Sequence, residues 1–374
     1  MAERTLIPHP RSLHQRALVW DAHMDSLTRA LVDGVDLGIP SDAQADLHRW
    51  RAGGVDAQVF AVWIDTVYAP HHAARRALEE IDLFHNLLAK YPERIELALT
   101  ARDVRRITGE GKLAAMLAIE GGVAIQNNLA LLRTYARLGA TSMTLTHTVS
   151  IDWVDSSTDV ARSGGLSPFG RDVIREMNRL RMIVDVSHVS DDAIWQCLEL
   201  STAPIIASHS SAKAISDHPR NLSDDLLRAL AKKGGVAGIN FYNEFLDQDY
   251  RNAMAARSGE IIEVLNRPTA YPPEELDQRA KERSHGFFKN PPPRPPFERI
   301  LEHIDHVVRV AGVDHVGIGS DLDATIIPAP LGMDNVGDFP KITDGLVERG
   351  YSETDIEKIL GGNFLRVFEE VRGE

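Results

Sequence analysis

The segment Val19-Trp-Asp-Ala-His-Met-Asp-Ser26 continues an apolar run that starts at Ala17, and it decides how the rest of the chain is read. The apolar run predicts a buried strand, and His23 and Asp25 stand two residues apart where that strand would end. Residues i and i+2 of a strand point to the same face. An imidazole and a carboxylate should therefore emerge side by side at the end of the first strand.

Further short apolar runs follow this segment, and amphipathic stretches separate them. The runs are rich in Val, Ile, Leu and Ala without strict alternation, which is typical of strands buried on both faces of a parallel sheet. The eight predicted strands are Ala17–His23, Val55–Ile64, Leu113–Glu120, Thr141–His147, Met182–His188, Pro204–His209, Gly235–Phe241 and His315–Asp321. Between them, helices are predicted over Ala73–Lys90, Asn128–Leu138, Asp172–Leu180, Asp191–Leu200, Asp224–Lys232 and Ile300–Val310.

This alternation favours a (β/α)8 TIM barrel that occupies residues 1–374 as a single domain. A doubly wound sheet would more often carry a glycine-rich phosphate turn after its first strand, and Asp21-Ala-His-Met-Asp25 occupies that place here. Ser190 and Ser223 stand where helix N-caps are expected. The C-terminal stretch Asp338–Val371 is predicted as two or three helices, with a break at Gly361-Gly362.

One long connection interrupts the alternation. Residues Asn243–Phe297 separate the seventh predicted strand from its helix and include the run Pro291-Pro-Pro-Arg-Pro-Pro296. Long connections in compact domains are usually functional or disordered, and this one leaves the strand end at which barrel active sites lie. We therefore predict an insertion that acts as a lid or specificity loop over the active site. A peripheral or dimer-contact insertion is the alternative.

The composition excludes several classes of protein. The 374 residues include 54 acidic and 41 basic residues, for a formal net charge of −13, which disfavours a partner such as nucleic acid. The lone Cys197 cannot form an internal disulfide and is predicted to be a packing residue. Met1–Arg16 has no apolar core of a signal peptide, and no run is long enough to span a membrane. We expect a cytoplasmic protein without a membrane partner. A homodimer is left open.

Ionisable side chains mark six of the eight predicted strand ends. Because the carboxyl ends of barrel strands meet at one mouth, these side chains should converge. Several imidazoles with two or three carboxylates and no thiolate suit zinc or a similar divalent ion. The residues are His23, Asp25, Glu120, His147, His188, His209 and Asp321.

The number of these residues exceeds what one ion requires, since a single catalytic zinc needs about three protein ligands. Two ions would need a shared ligand, and Glu120, with two carboxylate oxygens, is the candidate. A water molecule shared by two cations loses its proton near neutral pH and becomes a nucleophile.

Several short motifs occur in an order that resembles the membrane dipeptidase (renal dipeptidase) family, a branch of the amidohydrolase-like metal-dependent hydrolases. The similarity extends from Asp21 to about Glu370. The motifs are Asp21-Ala-His-Met-Asp25, Ile119-Glu-Gly-Gly122, Thr144-Leu-Thr-His147, Asp185-Val-Ser-His-Val-Ser190, Ser208-His-Ser-Ser211, Arg220-Asn221, Asn240-Phe-Tyr242 and Gly319-Ser-Asp-Leu-Asp323.

The resemblance implies a (β/α)8 barrel with two zinc ions that hydrolyses dipeptides, including those with a D-residue at the C-terminal position. Carried over by position, His23 and Asp25 would hold one ion, His188 and His209 the other, and Glu120 would bridge both. A hydroxide between the ions would attack the peptide carbonyl. The remaining implied roles are polarisation of that carbonyl by His147, binding of the substrate carboxylate by Arg220, contact with substrate by Tyr242, and proton transfer by Asp321.

The chain departs from the family pattern near the predicted pocket. Phe245 stands where relatives often carry a tyrosine, and the eighth strand motif reads Ser320-Asp-Leu-Asp-Ala324 instead of Ser-Asp-Phe-Asp-Gly. The long insertion is also larger than in the mammalian relatives. Because these changes lie near the predicted pocket, we expect them to affect substrate preference more than the chemistry.

Other functions fit the same residues. An N-acyl amino acid hydrolase or a β-lactam amide hydrolase could use the same pair of metal ions. A barrel that binds dipeptides without cleaving them is a reading from another class. A phosphate-handling barrel is disfavoured, because Gly234-Gly235 stands at the start of a predicted strand, on the wrong face.

Overall fold

The computed structural model describes residues 10–65, 68–69, 71–256, 291–323 and 329–374, and within these residues its strands form one parallel sheet. The strands are Trp20–Met24 (β1), Ala57–Trp63 (β2), Ile95–Leu97 (β3), Leu113–Glu120 (β4), Ala140–Thr144 (β5), Ile183–Asp185 (β6), Ile206–Ala207 (β7), Val236–Ile239 (β8) and Val316–Ile318 (β9). β1 pairs with β2 and β9, β2 pairs with β4, and pairing then runs in chain order from β4 to β9. Eight strands thus close into the predicted (β/α)8 barrel, and the doubly wound alternative is excluded.

The ninth strand, β3, lies outside the closed barrel and was not predicted. It pairs in parallel with the first half of β4, at Ile95↔Leu113 and Leu97↔Ala115. On the same edge of β4, β5 begins to pair only at Leu117↔Ala140. The short strand therefore satisfies backbone groups on β4 that the barrel itself leaves unpaired.

Most of the described helices lie between the strands, while one precedes β1 and three follow β9. The bounds are Pro10–Arg16, Ser26–Asp33, Leu47–Ala52, Ala73–Lys90, Ala101–Gly109, Leu129–Arg137, Pro168–Arg179, Asp191–Leu200, Asp224–Lys232, Asn243–Leu246, Gln248–Ala255, Glu298–Ala311, Pro340–Glu348, Glu353–Glu357 and Asn363–Arg372. The two predicted N-caps are confirmed, since the Ser190 and Ser223 side chains accept from the backbone N–H of Ala193 and Leu226.

The predicted break at Gly361-Gly362 is wrong, because the chain continues through a π-helical turn, Lys358–Gly362, into the last helix. Gly361 packs so closely on the start of β1 that a Cβ atom there would lie 2.4 Å from the carbonyl oxygen of Leu18. The glycine is thus a packing residue inside a helical segment, since only a residue without a side chain permits this approach.

The C-terminal helix covers the end of the barrel at which the strands begin. Phe364 and Phe368 pack against Trp20, the first residue of β1, with ring centroids 6.4 Å and 5.4 Å from the indole. This apolar seal leaves the opposite end, where the strands finish, as the place for a polar site.

The predicted insertion is described only at its ends. Its first residues form the helices Asn243–Leu246 and Gln248–Ala255, and residues 257–290 lie outside the described residues. Cys197 is fully buried in the helix Asp191–Leu200, as expected of a packing residue. Among the described helices, none is both long enough and apolar enough to cross a lipid bilayer.

Candidate metal centre

The predicted ionisable residues meet at the carboxyl end of the barrel. His23 lies in β1 and Glu120 is the last residue of β4, whereas the others follow the ends of β1, β5, β6, β7 and β9 by one to three residues. All are buried or nearly so. The residues brought together in this way are His23, Asp25, Glu120, His147, His188, His209 and Asp321.

Glu120 stands at the centre, and its two oxygens face different neighbours. Oε1 lies 3.1 Å from Nε2 of His188 and 3.5 Å from Nε2 of His209. Oε2 lies 3.2 Å from Nε2 of His23, and that nitrogen is 3.9 Å from Oδ2 of Asp25. The carboxylate therefore divides the cluster into a His23–Asp25 side and a His188–His209 side.

Several buried polar atoms of this cluster have no hydrogen-bond partner among the described residues. They include Nε2 of His23, Oδ1 of Asp25 and Oε2 of Glu120. A buried polar group without a partner is costly, so such atoms call for an explanation. Three groups of residues each place one atom per residue within 4.8 Å of the others in the group, which is close enough to hold one metal ion. The groups are His23–Asp25–Glu120, Glu120–His188–His209 and His23–His209–Asp321.

The electrostatics of the cluster also fit a cation. Burial, with the nearby charge of Glu120, raises the pKa of Asp25 well above its ordinary value. Burial lowers the pKa of His188 and of His209 well below the ordinary value for histidine. Neutral imidazoles offer a lone pair, and a cation would relieve the repulsion between the carboxylates. The residues present therefore fit a bound divalent metal.

The loops that carry the candidate ligands are held to one another by hydrogen bonds. Asp21 is fully buried and accepts hydrogen bonds from the Ser320 N–H at 2.8 Å and the Ser320 hydroxyl at 2.6 Å. This contact ties β1 to the loop after β9, and Oδ1 of Asp321 lies 3.9 Å from Nε2 of His23. His188 and Asp321 have left-handed backbone φ values of 71° and 60°.

His147 lies at the rim of the cluster, with Nε2 3.9 Å from Oε1 of Glu120. Its ring is 4.2 Å from that of His188 and 5.5 Å from the indole of Trp63. Burial lowers the pKa of His147 to about 4, so the ring is neutral at pH 7. The sequence analysis missed Trp63, the last residue of β2, because an aromatic residue at a strand end resembles ordinary core.

Arg220 is buried beside the cluster without a carboxylate partner within 4.0 Å among the described residues. Its guanidinium donates to the hydroxyl of Ser210 at 3.3 Å and to the backbone oxygen of His209 at 3.2 Å, whereas Nε has no described partner. Burial lowers the pKa of Arg220 to about 10, which leaves it charged at pH 7. The guanidinium also lies 5.3 Å from the ring centroid of Phe245. A buried guanidinium with no carboxylate in contact among the described residues suits an anionic ligand.

Asn240 and Tyr242 complete this side of the pocket. The Asn240 amide donates to Oδ2 of Asp321 at 2.8 Å, so Asn240 orients that carboxylate. Asn240 belongs to a motif that was recognised in the sequence, but its role could not be predicted there. The Tyr242 hydroxyl donates to the Glu244 carboxylate, and the Tyr242 ring packs on Phe245 at 4.7 Å.

A closed (β/α)8 barrel with buried histidines and carboxylates at the carboxyl ends of its strands defines a class of metal-dependent hydrolases. Within that class, the sequence profile of the membrane dipeptidase family, peptidase family M19, matches residues 9–373. The chain belongs to this family, and it is a hydrolase of the metallo-dipeptidase type. The resemblance seen in the sequence motifs is thereby confirmed, and metal dependence follows from the family and from the clustered ligands.

Individual relatives agree with this assignment. Dipeptidase tcpJ of Claviceps purpurea is 34% identical over 336 residues, which cover 87% of this chain and 69% of that protein. Dipeptidase 3 of Mus musculus is 32% identical over 333 residues, which cover 88% of this chain and 58% of that protein. The chain thus spans less than two thirds of the mouse relative.

Solved structures show the same fold over the whole chain. The probable dipeptidase PvdM from Pseudomonas aeruginosa is 27% identical, with a TM-score of 0.84 and coverage of 99% of both chains. A structure described as the metallopeptidase dipeptidase AC of family M19 is 25% identical, with a TM-score of 0.77 and coverage of 96% of this chain and 99% of that chain.

Proposed function

We propose that the chain is a two-zinc dipeptidase whose ions share Glu120. The observation that carries this proposal is that the two oxygens of Glu120 face two different ligand sets, at 3.1 Å from His188 and 3.2 Å from His23. Zinc is favoured because the ligands are imidazoles and carboxylates, without a thiolate. His23 and Asp25 would hold one ion, and His188 and His209 the other.

Two bound ions would supply Lewis acidity to polarise a peptide carbonyl and to activate water near neutral pH. The protein residues then have distinct tasks. Neutral His147 can donate a ring N–H to the carbonyl oxygen on which negative charge develops. Its position at the rim, with Nε2 3.9 Å from Oε1 of Glu120, supports a role with the substrate instead of with the metal.

Asp321 is the residue we assign to proton transfer. Asn240 holds its Oδ2, which leaves Oδ1 toward the cluster, 3.9 Å from Nε2 of His23. Burial raises the pKa of Asp321, and the neighbouring Glu120 charge adds to this effect. A carboxylate with a raised pKa can take a proton from the attacking water and return it to the leaving amine.

Arg220 is the proposed anchor for the C-terminal carboxylate of a dipeptide. Its buried guanidinium lacks a protein carboxylate among the described residues, and an arginine binds a carboxylate through two parallel hydrogen bonds. An anchor for the carboxylate one residue beyond the scissile bond would select for two-residue substrates. Arg220 would bind the carboxylate of the C-terminal residue and not its side chain, which is consistent with tolerance of a D-residue at the C-terminal position.

Tyr242 is proposed to contact the substrate as well. Its hydroxyl proton is directed to Glu244, so its oxygen is left as an acceptor. Such an acceptor suits an N–H group of the substrate.

We keep the prediction of a lid for residues 243–297, and cytoplasmic location also stays a prediction.

The experiment that tests the proposal measures metal content and hydrolysis on the same preparation of the full chain. We expect two zinc ions per chain and cleavage of L,L- and L,D-dipeptides. The same assay should include N-acyl amino acids and a β-lactam, the substrates of the alternative hydrolases. Preferred cleavage of N-acyl amino acids or of the β-lactam would replace the proposal by the corresponding alternative hydrolase. If the metal-loaded chain binds dipeptides without cleaving them, the proposed hydrolysis is wrong and the chain is a binding protein.

A further inference from the structure

His209 has a hydrogen-bonded support on the side that faces away from Glu120. Nδ1 of His209 lies 2.7 Å from the hydroxyl of Ser208, and that hydroxyl lies 2.6 Å from Oδ2 of Asp185. All three residues are buried, with exposed fractions of 0%, 3% and 2% for His209, Ser208 and Asp185. Water is therefore excluded from these polar groups, so their hydrogen bonds must come from other protein groups.

The direction of these hydrogen bonds follows from the donors around Asp185. Oδ1 accepts from the N–H groups of Ser187 at 3.0 Å and Ser208 at 2.9 Å. Oδ2 accepts from the hydroxyls of Thr144 at 2.6 Å and Ser208 at 2.6 Å. All four donors are directed at the two oxygens of Asp185, which matches a carboxylate, a group that only accepts hydrogen bonds. The single hydroxyl proton of Ser208 therefore points to Asp185.

The Ser208 oxygen must then accept from the ring of His209, which requires a proton on Nδ1. In a neutral imidazole the other nitrogen, Nε2, then carries the lone pair. That atom lies 3.5 Å from Oε1 of Glu120 and 2.8 Å from Nε2 of His188, inside the cluster of candidate ligands. His188 differs, because its Nδ1 has no described partner.

We propose that Ser208 is a positioning residue that relays the charge of Asp185 to His209 and holds its Nε2 ready for a metal ion. The inference rests on the proposed function, in which His209 is a ligand. Outer partners of metal-bound histidines fix the ring tautomer and orientation and raise the basicity of the ligand. The ion on the His188–His209 side should therefore depend on Ser208, whereas the ion on the His23–Asp25 side should not.

The first test compares zinc retention in full-length holoprotein equilibrated with a graded series of chelator buffers. In Ser208→Ala we expect one of the two ions to be lost at about 10–100-fold higher free zinc than in the wild type. Ser208→Thr keeps the hydroxyl and should restore retention. Thr144→Val is the matched control, because it removes a different hydroxyl from the same Asp185 oxygen and should retain both ions.

Wild-type retention in Ser208→Ala would overturn the proposal, and so would equal loss in Thr144→Val, which would indicate general damage around Asp185. A second measurement needs no variant. Long-range 1H–15N NMR of histidine-labelled wild-type protein, with His209 assigned by a His209→Gln sample, should show the proton on Nδ1. A proton on Nε2 would overturn the proposal even if Ser208→Ala fails to fold. A wild-type chain without zinc would reject the proposed function instead, while the NMR result would still decide the tautomer.

Discussion

Two sets of buried histidines in this molecule have opposite surroundings. At the barrel mouth, Nε2 of His23, the ring nitrogen that faces Glu120, has no hydrogen-bond partner among the described residues. In the outer layer, both nitrogens of His303 are used, by the backbone N–H of Ala212 and the carbonyl of Leu246. His14 is likewise held on both sides, by Gly53 and Thr343.

Burial is nearly the same in the two sets, so burial does not identify the functional histidines. The exposed fractions are 1% for His23 and 0% for His303. What differs is whether the surrounding protein supplies partners for the ring nitrogens. The outer histidines have partners for both ring nitrogens, whereas His23 at the mouth directs a nitrogen at a group that the protein chain does not provide. Each prediction below changes one side of this contrast.

The largest effect is expected for Glu120→Gln, because an amide cannot offer two anionic oxygens to two cations. We expect reduced metal content and a fall in kcat/KM of at least about 1000-fold, from loss of several kcal/mol of charge stabilisation. Glu80→Gln is the matched control, since Glu80 is equally buried but is paired with Arg76 at 3.2 Å. Elemental analysis and dipeptide kinetics measure both variants. Full metal occupancy in Glu120→Gln would contradict the shared ligand.

A smaller but still large effect is expected for Asp321→Asn. The neutral amide keeps the shape of the side chain but cannot accept the proton, so kcat should fall by about 100–10,000-fold while both ions stay bound. Metal analysis alongside steady-state kinetics separates the two quantities. Loss of an ion in this variant would mean that Asp321 is a ligand and not the proton carrier.

Arg220→Ala should act mainly on substrate affinity. Removing a charged hydrogen-bond donor costs about 1.5–3 kcal/mol, which corresponds to a KM increase of roughly 10–100-fold with a smaller change in kcat. The matched substrate is the same dipeptide with its C-terminal carboxylate converted to an amide. Wild type should discriminate strongly between the two, and Arg220→Ala should not. An unchanged KM would remove the carboxylate anchor.

The smallest effect concerns His303 and appears in stability, not in activity. Burial lowers the pKa of His303 to about 4, below the value of about 6.5 expected in the unfolded chain. The unfolded chain therefore binds more protons between these values. The contribution of His303 to the free energy of unfolding is complete above about pH 6.5 and is lost as the pH falls toward 4.

His303→Gln keeps a donor for Leu246 and an acceptor for Ala212 but cannot be protonated. Between about pH 7.5 and pH 5, we expect its free energy of unfolding to fall about 2 kcal/mol less than that of the wild type. Urea unfolding at the two pH values measures the difference, and dipeptide hydrolysis at neutral pH should be unchanged. Equal acid sensitivity of the two proteins would mean that His303 is already charged when folded.

Much of the fold could be predicted because the barrel strands are continuous apolar runs. The exceptions are local. Ile95–Leu97 was missed because three residues with two half-exposed side chains give too short a signal for a strand. Gly361-Gly362 was misread because a helix-breaking pair and a packing glycine look the same in a sequence. The carbonyl of Leu18, which explains Gly361, is more than 300 residues away along the chain.

For the site, strand ends predicted which ionisable residues would meet, because the topology of the barrel brings strand ends together. The positions of the strand ends could not predict which residues hold these side chains in place through hydrogen bonds. Asn240, Ser208 and Asp185 act through hydrogen bonds between different loops. Such partners are ordinary polar residues in a sequence, and only their distances give them a role. Arg220 was found from its motif, but its lack of a protein carboxylate required the structure.

The left-handed backbone at His188 and Asp321 has a consequence for how this enzyme can change over generations. Such a conformation is disfavoured for most residues and is most common in glycine, followed by asparagine, aspartate and histidine. Two requirements therefore limit the residue types that positions 188 and 321 can accept: the chemistry of the side chain and the left-handed backbone. A protein engineer who wants new reactivity here has more freedom at His147, whose backbone is not left-handed, than at His188 or Asp321.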